Sequence, residues 1–164
     1  GLLFFVSNSF SKNLSLYGER VGGLSVVCKD EAQAKAVQGQ LQFNIRRIYS
    51  SPPSHGGHVV DIVMNDEALF NEWVQEVYVM RDRIKDMRQK LRDSLEAKLP
   101  GRSFEYITKQ NGMFSYTGLT PEQVARIIKD FGIYMVANGR ISVAGLNASN
   151  IDYVANAMAE VLKD

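Results

Sequence analysis

A short run of hydroxyl residues surrounds the lysine with the clearest chemical potential in this chain. Ser9 and Ser11 precede Lys12, and Arg20 follows eight residues later, just before a Gly-Gly pair. Lysine amines form imines with aldehydes, while hydroxyl groups and a guanidinium fork donate hydrogen bonds to phosphate. The spacing Ser-x-Ser-Lys-x7-Arg-x-Gly therefore predicts a site for an aldehyde cofactor that carries a phosphate group.

Two apolar stretches flank this lysine and must position it. Residues 2–6 form a short run of the kind found in buried parallel strands, and residues 21–27 predict a second strand. The polar residues between them disfavour strand, so Lys12 is expected on a loop at the C-terminal edge of the first strand. Open α/β sheets bind their ligands at that edge.

The composition limits the possible function classes. The chain has 164 residues, of which 45% are hydrophobic and 23% charged, and its net charge is +1. This charge gives no electrostatic reason to expect nucleic acid or an anionic membrane as a partner. A single cysteine, Cys28, fits a reducing cytoplasm. Because the sequence opens inside an apolar run, we expect a fragment whose upstream partner strands are missing.

Helix signals organise the first two thirds of the sequence. Asp30 and Gln33 predict a capping box that starts a helix over 31–48, and a short helix is expected over 57–64. Apolar residues, Trp73 among them, then recur at steps of three and four over 67–98, which predicts one long helix with an apolar face. Its other face carries charges of both signs, Arg88 among them, and is expected to be solvated. The predicted domains are 1–66, 67–99 for the connecting helix, and 100–164.

The last third mixes strand and helix signals. Strands are predicted over 104–108, 113–117, 133–137 and 140–144, the last two joined by a tight Asn138-Gly139 hairpin. Thr120, Pro121 and Gln123 predict a capped helix start, and Gly132 should end that helix. A final helix is expected over 148–162. With its paired elements, this part should be the better folded.

Four separated blocks resemble one known family. They are residues 7–23 (SNSFSKNLSLYGERVGG), 44–53 (NIRRIYSSPP), 111–119 (NGMFSYTGL) and 138–145 (NGRISVAG). Together they resemble bacterial aromatic-amino-acid aminotransferases, close relatives of the aspartate aminotransferases, within the class I pyridoxal-phosphate enzymes. The resemblance implies the C-terminal part of an α/β fold-type I aminotransferase. That part contains a remnant of the large-domain sheet with the lysine loop, a long interdomain helix and a small α+β domain.

The resemblance also implies roles for the residues of the first block. Lys12 would bond covalently to pyridoxal 5'-phosphate and then move a proton on the substrate as the catalytic residue. Ser9 and Arg20 would bind the cofactor's phosphate, with Ser11 as an additional ligand. From the residues alone, Arg20 could equally form a structural salt bridge with Glu19.

Substrate contacts are implied by the other blocks. Arg140 would bind the substrate's α-carboxylate, and Arg46 would reach the other subunit's site to bind a distal carboxylate. Phe114 would line the pocket. Arg47 is interpreted as an exposed neighbour of Arg46, and Tyr49 is a weaker candidate for the pocket.

The implied function is transamination of aromatic and dicarboxylic L-amino acids with 2-oxoglutarate, by a ping-pong mechanism in a cytoplasmic homodimer. Aspartate specificity is the alternative, and a non-catalytic packing or dimerisation domain is the alternative of another class. The residues that the family places upstream are absent here, so the chain alone should have little activity. His55, His58 and Asp61 lie at i, i+3 and i+6, but no further ligand supports a metal site, and none is predicted. The neighbouring Gly56-Gly57 pair instead indicates a helix start under tight packing.

Overall fold

The computed structural model describes residues 2–163. The chain divides into two compact units, Gly1–Val77 and Tyr78–Asp164. Its elements, in chain order, are β1 (Phe4–Ser9), β2 (Gly22–Val27), α1 (Glu31–Ile48), α2 (His55–Asn65), α3 (Glu67–Lys98), α4 (Glu105–Lys109), β3 (Phe114–Tyr116), α5 (Pro121–Phe131), β4 (Arg140–Ser142) and α6 (Ile151–Val161). The boundary between the units falls within α3, and the three-part division predicted from the sequence stays a prediction.

In the first unit, β1 and β2 form an antiparallel pair. Their register runs from Phe4 opposite Val27 to Ser9 opposite Gly22. The sequence indicated buried parallel strands, and this was wrong on both points. The pairing is antiparallel, and every residue of β1 is exposed. An apolar run carries no information on pairing direction. A parallel pair needs a long crossover connection, whereas the 12-residue link between β1 and β2 contains no helix.

The helices of the first unit follow their sequence signals closely. Asp30 Oδ1 accepts the Gln33 main-chain N–H at 2.8 Å, and Gln33 Oε1 accepts the Lys29 N–H at 2.7 Å. The first bond confirms Asp30 as the cap of α1. In the predicted capping box Gln33 would accept the Asp30 N–H, but it accepts the Lys29 N–H instead, so only half of the box forms as predicted. Helix α2 starts two residues before the predicted position. Helix α3 has the predicted bounds, with Asp66 Oδ1 accepting the Leu69 N–H at 2.9 Å.

The second unit encloses a hydrophobic core. The last turns of α3 contribute buried residues to it, α5 contributes Val124 and Ile127, and α6 contributes Ala155, Met158 and Val161. The Thr120–Gln123 capping box forms as predicted, and Gly132 ends α5 with a φ of +64°. Nowhere in residues 2–163 is a helix both long and apolar enough to cross a membrane.

Two predicted strands of the second unit are wrong. Residues 105–109 form α4, because Phe104 and Ile107, three residues apart, both turn into the core at 3% and 0% exposure. Residues 133–137 form no strand. The Asn138-Gly139 turn does form, since the Gly139 N–H donates to the Val136 carbonyl at 2.9 Å. However, β4 pairs with β3, with Ser115 opposite Ile141.

Candidate active site

Lys12 lies on the loop between β1 and β2, as predicted. We call residues 10–21 the lysine loop. The Phe10 N–H donates to the Val21 carbonyl at 3.1 Å, which continues the strand pairing into the base of the loop. Ser9 Oγ donates to Ser11 Oγ at 3.1 Å, and the Ser11 N–H donates back to Ser9 Oγ at 3.3 Å. These bonds fix two hydroxyl groups directly before the exposed Lys12.

Arg20 lies on the same loop and shares a neighbour with Lys12. Its Nη1 donates to the Tyr17 carbonyl at 2.9 Å, and Lys12 Nζ lies 5.3 Å from the centroid of the Tyr17 ring. Arg20 has a φ of +55°. Residues other than glycine rarely adopt this left-handed backbone conformation, which costs them about 1 kcal/mol or more. Such strained residues cluster at functional sites, where the surrounding structure holds them.

The donors of the lysine loop suit a phosphorylated aldehyde. Within residues 2–163, no ion pair joins Lys12 or Arg20 to an acid, so the structure gives no support to an Arg20–Glu19 salt bridge. An amine and a guanidinium without acidic partners, together with one hydroxyl on the loop and another at the end of β1, form a donor set that fits pyridoxal phosphate.

Two contacts from outside the loop hold it in place within the first unit. Trp73 on α3 donates its indole N–H to the Asn13 carbonyl at 2.9 Å, next to Lys12. At the other end of the loop, Gly56 on α2 packs so closely that a Cβ there would lie 2.7 Å from Glu19 Cβ and closer still to Val21 Cγ2. The ends of the loop therefore depend on α3 and α2.

The two candidate arginines at the end of α1 have different local partners. Arg46 Nη1 donates to Ser50 Oγ at 2.6 Å, and Ser50 has a φ of +60°. The Arg47 guanidinium lies 5.5 Å from the centroid of the Phe43 ring. Both arginines and Tyr49 are exposed. The choice of Arg46 for a distal carboxylate, and the weaker choice of Tyr49 for the pocket, stay predictions.

In the second unit, Phe114 and Arg140 lie together. The Arg140 guanidinium is 4.9 Å from the centroid of the Phe114 ring. Arg140 is directly opposite Tyr116, so Phe114 is its diagonal neighbour on the same face of the two-stranded sheet. The turn before β4 requires glycine, because Gly139 has a φ of +81° and a Cβ there would lie 2.8 Å from the Leu119 carbonyl oxygen. An exposed cation is thus presented beside an aromatic ring.

A buried arginine holds this sheet to α3. Arg88 is 3% exposed, so its assignment to a solvated helix face was wrong. Its guanidinium donates to the carbonyls of Ile107 at 2.7 Å, Gly112 at 2.8 Å and Phe114 at 2.7 Å. Burial lowers the pKa of Arg88. The charge lies against main-chain dipoles instead of a carboxylate, and it fixes the carbonyl of Phe114 itself.

A family model described as aminotransferase class I and II matches residues 3–158. The chain belongs to this family. The aromatic-amino-acid aminotransferase of Escherichia coli (strain K12) is 55% identical over 162 residues, which cover 99% of this chain and 41% of that protein.

Two solved aminotransferase structures are also very similar. The psychrophilic aromatic amino acids aminotransferase from Psychrobacter sp. B6, cocrystallised with aspartic acid, is 72% identical with a TM-score of 0.94 over 98% of this chain and 40% of that one. The aromatic-amino-acid aminotransferase from Burkholderia pseudomallei, covalently bound to pyridoxal phosphate, is 52% identical with a TM-score of 0.92 over the same shares. These likenesses confirm the predicted family and α/β aminotransferase fold. The chain spans about 40% of the length of these relatives.

Sequence reasoning missed two of the supporting residues and half-recognised a third. Trp73 was assigned to the apolar face of α3, although a partly buried indole N–H usually requires an acceptor, and this was a usable signal. No signal distinguished Arg88 from the exposed arginines around it. Tight packing at the Gly56-Gly57 pair was expected, and the structure confirms it for Gly56 alone.

Proposed function

We propose that this chain supplies the lysine loop and the substrate arginines of a pyridoxal-phosphate-dependent aminotransferase. The enzyme would act on aromatic and dicarboxylic L-amino acids, with 2-oxoglutarate as the amino acceptor in a ping-pong cycle. The observation that carries the proposal is the lysine loop itself. Lys12 and Arg20 both contact Tyr17, and neither has an acidic partner within residues 2–163. The hydrogen-bonded hydroxyls of Ser9 and Ser11 come just before Lys12 in the chain.

When bound, pyridoxal phosphate supplies an electron sink for the substrate's α-carbon. The Lys12 amine would accept the proton from that carbon as a positioned general base and then, as an acid, deliver it to the cofactor's C4′ carbon. The hydroxyls of Ser9 and Ser11 would donate hydrogen bonds to the phosphate. Arg20 would pair with the same phosphate through its guanidinium fork, which matches phosphate geometry.

The substrate's carboxylates are assigned to two other arginines. Arg140 binds the α-carboxylate, and its guanidinium is supported by the Phe114 ring at 4.9 Å, a favourable cation–π contact. Phe114 also lines the substrate pocket. Arg46 binds the distal carboxylate of a dicarboxylic substrate in the other subunit of a homodimer. The homodimer and the cytoplasmic location rest on the resemblance alone.

A covalent-trapping experiment tests the lysine assignment. A full-length aminotransferase carrying this segment is incubated with pyridoxal phosphate, reduced with borohydride and mapped by mass spectrometry. We expect the cofactor's mass on the peptide containing Lys12, and its loss in Lys12→Arg. Label on Lys29 or Lys35 instead would contradict the assignment. Absence of any label would favour the non-catalytic packing or dimerisation domain.

Aspartate specificity is the second candidate function. Its support is that the 72% identical Psychrobacter enzyme, although an aromatic amino acids aminotransferase, was cocrystallised with aspartic acid. Comparing kcat/KM for phenylalanine and for aspartate in the full-length enzyme distinguishes the two. We expect the higher value for phenylalanine, and a higher value for aspartate would assign the enzyme to the aspartate group.

The 164-residue chain alone is expected to have little activity, because the lysine loop supplies only part of a cofactor site. Amino transfer from tyrosine or aspartate to 2-oxoglutarate measures this. Turnover close to that of the full-length enzyme would contradict the expectation.

A further inference from the structure

Helix α2 packs closely on the lysine loop at Gly56. Gly56 is the buried residue of α2. A Cβ built on it would lie 2.7 Å from Glu19 Cβ and 3.2 Å from Glu19 Cγ, with Val21 Cγ2 nearer than either. At the next residue, Gly57, nothing lies within 4 Å of such a Cβ. The two glycines are adjacent on one helix, but only the first has packing that excludes a side chain.

The atoms that crowd Gly56 have little freedom to move aside. Glu19 Cβ is bonded directly to the main chain, so displacing it displaces the backbone. Val21 is branched at Cβ and therefore stiff at χ1. A methyl group at position 56 would therefore displace the main chain at residues 19 and 21. If the neighbouring atoms belonged to the flexible end of a long side chain, that side chain could move aside instead.

Those segments flank Arg20 on both sides. The carbonyl of Val21 is held by the Phe10 N–H at 3.1 Å. After it, Gly22 packs so closely against the Asn8 carbonyl that a Cβ there would collide with it. The strand side of the loop is therefore fixed, and α2 closes the other side. Arg20, in its left-handed conformation at φ +55°, lies between these two constraints.

We propose that Gly56 is a positioning residue for Arg20. The absence of a side chain lets α2 pack directly on residues 19 and 21, and this packing sets the direction of the Arg20 guanidinium. The inference rests on the proposed function, in which Arg20 binds the cofactor's phosphate. Gly56 itself is given no contact with cofactor or substrate.

Comparing a ligand that carries the phosphate group with one that lacks it distinguishes a misplaced Arg20 from a general folding defect, which would weaken the binding of both ligands. Dissociation constants for pyridoxal phosphate and for pyridoxal, which lacks the phosphate, are measured by equilibrium dialysis with the full-length apoenzyme. We expect Gly56→Ala to weaken pyridoxal phosphate binding by about tenfold or more and pyridoxal binding by less than about twofold. Gly57→Ala, the matched control, should leave both constants unchanged.

Arg20→Gln separates failure of this inference from failure of the proposed function. If Arg20→Gln binds both ligands as the parent enzyme does, the phosphate role of Arg20 is wrong. If Arg20→Gln loses selectivity for the phosphorylated ligand but Gly56→Ala does not, the positioning role of Gly56 is wrong. Equal losses for both ligands in Gly56→Ala would also overturn the inference, because they indicate a merely structural effect.

Two further variants test the contact from the side of the loop. In the double variant Val21→Ala/Gly56→Ala, the removed methyl groups leave room for the new one, so part of the lost affinity should return. No recovery in a folded double variant counts against the proposal. Should Gly56→Ala fail to fold, Val21→Ala alone loosens the contact without adding bulk. It should weaken pyridoxal phosphate binding by about threefold and spare pyridoxal, and unchanged values for both would overturn the proposal.

Discussion

Each of the two units of this chain is stabilised internally in a different way. Within residues 2–77, only Ser11 and Gly56 are buried, and α1 buries none of its residues. The second unit has a closed core whose members include Leu91, Leu95 and Ile107, each at most 1% exposed. Lys12 thus belongs to the unit that has no hydrophobic core among the residues described. Its loop is shaped by a few directed contacts, whereas the second unit is shaped by hydrophobic burial.

The largest expected effect contrasts the same substitution in each unit. Leu95→Ala opens a cavity in the second core and should lower the free energy of unfolding by about 3 kcal/mol. Leu24→Ala on β2, where the side chain is 51% exposed, should cost less than about 1 kcal/mol. Urea unfolding of the 164-residue chain, followed by far-UV circular dichroism, measures both. Similar losses would show that the first unit is packed as tightly as the second.

The next effect concerns polar burial in the second unit. Arg88→Met removes the donor to the buried Ile107 carbonyl and to the partly buried carbonyls of Gly112 and Phe114. We expect a loss of about 2 kcal/mol in the free energy of unfolding. Arg81→Met, at an exposed position of the same helix, should change it by less than about 0.5 kcal/mol. Equal effects would mean that the Arg88 hydrogen bonds contribute nothing net.

A smaller effect compares one type of hydrogen bond in the two units. Trp73→Phe removes the 2.9 Å bond to the Asn13 carbonyl, and Tyr153→Phe removes a 2.7 Å bond to the Phe131 carbonyl. Each bond should contribute about 1 kcal/mol. With no core beneath the lysine loop, Trp73→Phe should speed amide hydrogen exchange over residues 10–21, and Tyr153→Phe should leave that exchange unchanged. Unaltered exchange in Trp73→Phe would show that the indole hydrogen bond does not stabilise the lysine loop.

The smallest effect is a pH dependence in the second unit. The Phe104 N–H, and then Arg92, donate to the Glu96 carboxylate and hold its pKa below the ordinary value of 4.5. A lowered pKa in the folded state stabilises the protein above pH 4.5, and this contribution is lost as the pH falls through the folded value. Glu96→Gln should therefore flatten the decline of thermal stability with acidification. Parallel curves for the parent and the variant would contradict this.

The reliable sequence signals were the short-range ones. Asp30 with Gln33 marked the start of α1, Thr120 with Pro121 marked α5, and the apolar period over 67–98 marked α3. Each depends on residues within one or two helical turns, so the sequence contains all the partners. Lys12 was also placed correctly on a loop, although the polar residues 7–9, which were expected to end the first strand, belong to β1.

The errors arose where the deciding partner lies far along the chain. The segment at 104–108 alternates like a strand, but burial of Phe104 and Ile107 in the core makes it a helix. The partner of β4 was taken to be the nearest apolar run, whereas Ser115 and Ile141 pair across a longer separation. Arg88 has the same local sequence environment as its solvated neighbours, and it is buried only because residues 107–114 pack against it.

By itself, the sequence determined the main helices, the loop that carries Lys12 and the family to which the chain belongs. These depend on local hydrogen bonds, on helical periodicity and on motifs of fixed spacing. Only the tertiary structure decided the antiparallel pairing of β1, the burial of Arg88 and the contact of Gly56 with residues 19 and 21. Pairing direction, desolvation and close approach are properties of two segments together, and neither segment encodes them alone.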